Sequence, residues 1–204
     1  MFITLEGPEG SGKSTHATRL KSYLEGKGHK VVLTHEPGGT QIGKLIREML
    51  LHPEATLDHY TEIMLFGADR AEHVTKIIQP ALKKGKVVIS DRFTDSTIAY
   101  QCGGRGLPED LVRYFNMVSS KGLIPDLTLL LDVSPETGIR RATQNGTKDR
   151  FEKERIDFHK KVRRRYLAIA KEDPERVKIV KTEEKDIEKI QNEIRKVIDE
   201  KLGN

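Results

Sequence analysis

Eight consecutive residues, Gly7-Pro8-Glu9-Gly10-Ser11-Gly12-Lys13-Ser14, satisfy the spacing G-x-x-x-x-G-K-[ST], with Thr15 directly behind them. Glycines at these positions let successive backbone N–H groups turn inward around phosphate oxygens. A helix starting at Lys13 would aim its partly positive N-terminus at the same anion. In this pattern the lysine reaches the outer phosphates and the serine hydroxyl meets Mg²⁺. The expected chemistry is the grip of a nucleoside triphosphate such as ATP, with Gly7 through Thr15 as its contacts.

A second group lies in Val88-Ile89-Ser90-Asp91-Arg92, where an apolar run ends in a carboxylate followed by a guanidinium. Leu130-Leu131-Asp132 offers a competing carboxylate, but a strand-end aspartate is often only a turn or capping residue. The neighbouring Arg92 favours Asp91 as the group that holds or orients Mg²⁺ and its waters. The seven histidines show no H-E-x-x-H spacing, and Cys102 is the only cysteine. A zinc cluster and an intrachain disulfide are therefore excluded.

Such residues need elements to position them. Strand-length apolar runs recur at Phe2 to Leu5, Val31 to Leu33, Val87 to Ile89, Leu127 to Leu131 and Val177 to Val180. Helical patterns separate them at Lys13 to Glu25, Gln41 to Leu51, Leu57 to Leu82, Glu109 to Ser120 and Phe151 to Lys171, with a helical tail from Glu184 to Leu202. Continuous apolar strands are what a parallel sheet covered on both faces requires. The expectation is an α/β fold of the P-loop NTPase type, a five-stranded parallel sheet flanked by helices, whose strand ends carry the ligands. The polar stretch from Thr143 to Asp149 reads as a mobile loop, and about residues 141–152 as a lid.

A chain of 204 residues is long enough for one sizeable core and is read as a single domain over residues 1–204. No apolar run approaches the roughly 20 residues of a membrane span, and Met1 leads straight into a strand-like run without a secretory signal. A cytoplasmic protein with no membrane partner is expected. Net charge is +5, yet Lys and Arg alternate with acids along most of the chain, so no nucleic-acid partner is expected. The basic run Lys160 to Arg165 reads as a solvated helix face. The 33% of charged residues is similar to hyperthermophile usage.

A phosphate loop alone does not identify an acceptor. Glu36-Pro37-Gly38-Gly39-Thr40, Phe66 with Arg70, and Asp91-Arg92-Phe93-Thr94-Asp95-Ser96, in this order after a phosphate loop containing Glu9, resemble the bacterial thymidylate kinases over almost the whole chain. The resemblance implies transfer of the γ-phosphoryl group of ATP to dTMP, giving dTDP and ADP for dTTP synthesis, in a homodimer. It implies that Phe66 stacks on thymine, that Arg70, Ser96 and Gln101 contact the base, and that Arg92 binds the acceptor phosphate. Arg47 is placed to help Arg92, and Glu36 and Thr97 fall among the substrate contacts. Tyr100 would crowd the sugar 2′ position while Glu9 lies near the 3′-hydroxyl. Phe66 and Arg70 are four residues apart, as are Ser96 and Tyr100, and Thr97 and Gln101, so each pair shares a helix face.

In-line transfer to a phosphate needs positioning and charge neutralisation rather than a strong base, since a phosphate monoester with a second pKa near ~6 is largely dianionic at neutral pH. Members of this family supply an extra cation from the phosphate loop or from the lid. Pro8, Glu9, Gly10 and Ser11 hold no arginine, and the lid centre from Thr143 to Thr147 lacks the arginines usual in bacterial relatives. Arg140, Arg141, Lys148 and Arg150 flank that gap. Arg150, in Asp149-Arg150-Phe151-Glu152, fits the family's lid-end motif for ATP contact, and Arg141 is the candidate finger. A nucleotide-dependent switch or partition-type ATPase would need a residue to orient attacking water, and no such signature is present.

Overall fold

The computed structural model describes residues 1–143 and 149–203. Lys148 and the centre of the expected lid, residues 144–147, lie outside the described residues. β1 (Phe2–Glu6) is buried at every position, as is β4 (Leu127–Asp132), which is what their uninterrupted apolar runs require. With β2 (Val31–His35), β3 (Val87–Asp91) and β5 (Val177–Lys181) they form one parallel sheet in the order β2-β3-β1-β4-β5. Each fully buried Leu or Ile side chain contributes about 1.5–3 kcal/mol, and two clusters on β1, β3 and β4 carry much of the core. The registers Leu5↔Asp91, His35↔Asp91 and Glu6↔Leu130 bring the strand ends to one edge. That C-terminal edge is where open α/β sheets bind ligands.

α1 (Lys13–Gly26) and α2 (Gln41–Leu51) fall where the periodicity puts them, and so does α6 (Glu109–Ser120). The stretch expected as one helix to Leu82 is α3 (His59–His73), a π-helical segment Val74–Ile78 and α4 (Gln79–Lys83). Pro80 has no N–H to return to the preceding turn, and the helix widens there, with Gln79 N donating to Val74 O. A short α5 (Thr94–Thr97) runs into a second π-helical segment, Ile98–Gly104.

α7 (Pro135–Ala142) follows β4. α8 (Ile156–Glu172) begins five residues later than expected. Ahead of it, Asp149 Oδ1 accepts from the N–H groups of Phe151 and Glu152, both at 2.9 Å, in a separate turn that ends before α8 begins. α9 (Ile187–Leu202) likewise starts late, capped by Asp186, which accepts from Lys189 N. Among the described residues no helix is long and apolar enough to cross a membrane.

Candidate active site

The loop from Gly7 to Gly12 joins β1 to α1 with Gly12 at φ 90° as the helix N-cap. Its wall is α7: a Cβ on Gly10 would lie 2.0 Å from Gly138 O, so a side chain here would push the loop off the helix. Lys13 Nζ donates to Gly7 O at 3.1 Å and Pro8 O at 2.8 Å. Burial, with the Arg92 charge adding, pulls Lys13 down to about 8. Glu9, Gly10, Gly12, Lys13, Ser14 and Thr15 line an open cleft together with Asp91 and Arg141, whereas Ser11 faces the adjoining depression over α1 and α9.

Ser14 Oγ donates to Asp91 Oδ2 at 2.5 Å, bringing two hard oxygen donors to one point at the mouth of the loop. That donor set fits Mg²⁺, which takes one or two protein oxygens and completes its shell with phosphates and water. The rival carboxylate, Asp132, is taken by the fork of Arg163 at 2.7 and 2.9 Å. Among the described residues no group of three His, Cys, Asp or Glu could hold a metal by itself.

Beside this cleft is a second, smaller one. Glu9, Glu36, Arg47, Phe66, Arg70, Arg92, Ser96, Thr97, Tyr100 and Gln101 all line it. They come from the phosphate loop, the β2–α2 connection, α2, α3, the end of β3 and the α5 to π-helical stretch, and the fold brings them together. Phe66 and Phe151 stand 6.1 Å apart on its apolar side. Arg70, 2% exposed, is locked by Nε to Glu36, Nη1 to Thr97 and Asn116, and Nη2 to Phe93 O. Glu36 also meets His73 at 2.9 Å. Arg47 Nη1 donates to Pro37 O.

Arg92 is the hinge between the two clefts. Its φ of 73° lies in the left-handed region, a strain of about 1–3 kcal/mol for a residue with a side chain. Arg92 N to Leu5 O and Ser90 Oγ to Arg92 O hold that backbone. From there its Nη1 donates to Gly7 O and Ser96, and its Nη2 to Glu9 and Tyr100. Burial disfavours the Glu9 carboxylate, but Arg92 and Lys13 outweigh it and hold Glu9 down at about 2. Tyr100 OH donates to Glu9 at 2.6 Å, and burial keeps that phenol well above its ordinary range.

Three residues of this network carry no motif in the sequence. Glu6, at the end of β1, accepts from Phe93 N, Ser96 Oγ and Tyr166 OH, and burial with the Asp95 charge pushes it up to about 7. Tyr166, on α8, is in turn bonded to Ser96 and to Arg92. Glu62, fully buried on α3, meets Gln101, Arg105 and Arg150. A charged residue at an apolar position of a strand or helix was the one signal available for Glu6 and Glu62.

The candidate lid cations are placed differently from each other. Arg141 lines the phosphate cleft and donates to Thr182 O at 3.2 Å. Arg150 is held by Leu50 O at 2.9 Å and Glu62 at 2.6 Å, and does not line that cleft. In the basic run, Lys160 pairs with Glu136, Arg163 with Asp132, and Arg165 with Glu109 and Glu172, so much of its charge is answered locally.

Residues 5–194 match the family model described as Thymidylate kinase. Thymidylate kinase of Desulfovibrio desulfuricans is 48% identical over 188 residues, covering 88% of this chain and 87% of that protein. That of a Synechococcus species is 49% identical over 177 residues, covering 87% of this chain and 84% of the relative. The crystal structure of thymidylate kinase from Ehrlichia chaffeensis superposes with a TM-score of 0.80 at 37% identity, covering 97% of each chain. With two adjoining clefts joined by one arginine and this degree of likeness along its length, the chain belongs to the thymidylate kinase family.

Proposed function

We propose that this enzyme transfers the γ-phosphoryl group of ATP to dTMP through the two clefts, with ATP on the Gly7–Thr15 side and dTMP on the Phe66–Gln101 side. The observation that carries the assignment is the reach of Arg92. One guanidinium touches the phosphate loop at Gly7 and Glu9 and the acceptor cleft at Ser96 and Tyr100. A planar fork placed there binds the acceptor phosphate and lines it up with the outer phosphate of ATP. Lys13 and the loop N–H groups neutralise the transferring group, and the remaining barrier is lowered by holding both oxygens in line.

Ser14 and Asp91 are the residues that would hold Mg²⁺. When bound, the ion supplies charge neutralisation at the phosphate oxygens. Phe66 stacks on the base while Arg70 and Gln101 meet its edge, and Tyr100 with Glu9 crowds a ribose 2′-hydroxyl. Arg141, at the edge of the phosphate cleft, is the better placed finger, and Arg150 joins the ATP side only if it leaves Glu62. A lid spanning about residues 141–152 would carry both.

The partner we infer is a second copy of the chain. Ile42, Leu45 and Met49 on α2, Met64 on α3 and Tyr114 and Met117 on α6 are each more than half exposed, and α3 packs against both other helices. Exposed apolar side chains on three neighbouring helices support an interface rather than a solvated surface. Light scattering across a dilution series tests it, a single monomeric mass being the contrary result. A cytoplasmic location suits an enzyme drawing on ATP and a nucleotide pool. The activity is tested by following ADP and phosphorylated acceptor with a panel of nucleoside monophosphates. Selective turnover of dTMP supports the assignment, and preference for another monophosphate overturns the acceptor site.

A further inference from the structure

Glu62 lies beneath the acceptor cleft and not in it, with none of its surface exposed. Its Oε1 accepts from Gln101 Nε2 at 2.9 Å and Arg105 Nε at 3.1 Å, and its Oε2 from Arg105 Nη2 at 3.2 Å and Arg150 Nη1 at 2.6 Å. Four N–H donors on two oxygens fill the roughly four lone-pair sites of a carboxylate. Glu62 is thereby left with acceptor roles only. The consequence falls on Gln101, whose carboxamide has one accepting and one donating side. Against an acceptor-only partner the NH₂ side must face Glu62. The Oε1 side accepts no hydrogen bond among the described residues, and Gln101 itself lines the cleft.

Arg70 supplies the complementary half. Of its five N–H hydrogens four are accounted for by Glu36, Thr97, Asn116 and Phe93 O. The remaining one is on Nη2, and Arg70 lines the same cleft. The cleft therefore offers one fixed donor and one fixed acceptor. Thymine and uracil present a carbonyl at C4 next to an N3–H, which match. Cytosine presents an amino group next to a bare N3, which sets donor against donor and acceptor against acceptor.

We propose that Glu62 is a specificity-positioning residue, which by orienting the Gln101 carboxamide makes the site select 4-oxo over 4-amino pyrimidine monophosphates. The proposal rests on dTMP-type acceptors binding in this cleft. Leaving buried polar groups of the site facing groups they cannot pair with is the kind of mismatch that gives large discrimination.

The test is kcat/KM for dTMP, dUMP and dCMP in the wild type, Glu62→Gln and Gln101→Met. A neutral carboxamide at position 62 can accept or donate, so Gln101 is free to turn over. The dUMP-to-dCMP preference should fall by about tenfold or more in Glu62→Gln, while the dTMP-to-dUMP ratio, set by the methyl group alone, stays within about twofold. Gln101→Met leaves the arginines on Glu62 and should show a fall of the same size, with the Arg70 donor still in place. Parallel loss of all three activities with the dUMP-to-dCMP ratio intact means Glu62 is only structural and overturns the proposal. If Glu62→Gln does not fold, an undiminished preference in Gln101→Met overturns it independently. Wild-type enzyme that uses dTMP and dUMP but does not prefer dUMP over dCMP refutes this inference alone; failure to use any pyrimidine monophosphate refutes the function as well.

Discussion

Arg92 Nη2 donates to Glu9 Oε1 across 2.8 Å, tying the end of the third strand to the variable part of the phosphate loop. The pair fixes the spacing between the two clefts, because both residues line both of them. Geometry here depends on a fork as well as a charge. Arg92→Ala should lower kcat/KM for dTMP by about 10²–10³-fold, the loss of one or two charge-assisted bonds of roughly 1.5–3 kcal/mol each. Arg92→Lys keeps the charge and should recover only a minor part. Steady-state assays with both variants decide this, and full activity in Arg92→Lys would mean that the fork is not used.

Glu9 also writes a pH dependence into stability. Its folded pKa of about 2 lies below the ordinary 4.5, so the folded state favours the carboxylate. The contribution is complete above pH 4.5 and is lost as pH falls towards 2, with a full size on the order of 3 kcal/mol. Glu9→Gln should be less stable than the wild type at neutral pH, since Arg92 loses its charged partner. The difference in melting temperature should shrink steadily on acidification below 4.5. A gap that stays constant with pH would show that Glu9 is not tied to Arg92 in solution.

Asp91→Asn should raise the Mg²⁺ concentration needed for half-maximal rate by about tenfold or more while leaving the KM for dTMP within about twofold, because Asp91 and Ser14 face the phosphate cleft. Titration of the rate with Mg²⁺ at fixed ATP measures it. An unchanged Mg²⁺ requirement would move the metal role elsewhere.

Tyr100→Ala should increase use of ribo-acceptors relative to deoxy-acceptors by removing the ring beside the sugar. Tyr100→Phe keeps the ring and loses the hydrogen bond to Glu9 at 2.6 Å, so it should cost about 1.5–3 kcal/mol without changing that ratio. The ratio of kcat/KM for the ribo and deoxy forms of one monophosphate is the readout. An equal ratio in wild type and Tyr100→Ala would remove Tyr100 from sugar selection.

Legibility of the site followed contiguity. The phosphate loop and Asp91-Arg92 are consecutive residues whose spacing carries its own chemistry, and the central strands β1, β3 and β4 announced themselves because both their faces are covered, whereas the edge strands β2 and β5 are only partly buried. Glu6 and Glu62 were missed because each is a single acid whose partners come from distant segments, Tyr166 among them. The widening of the helices at Val74 and Ile98 was invisible to a period of 3.6 residues. At Phe151 the helical pattern overran because the residues behind Asp149, whose Oδ1 accepts from the N–H groups of Phe151 and Glu152, form a separate turn ahead of α8.

The proposed function joins an ATP cleft to a dTMP cleft through Arg92. Its most direct test is the stoichiometry of ADP to dTDP formed from ATP, Mg²⁺ and dTMP by purified wild-type protein, set beside Arg92→Ala. One dTDP for each ADP, with both products falling together in the variant, is the predicted result; ADP formed without dTDP, or dTDP formed undiminished by Arg92→Ala, would contradict it.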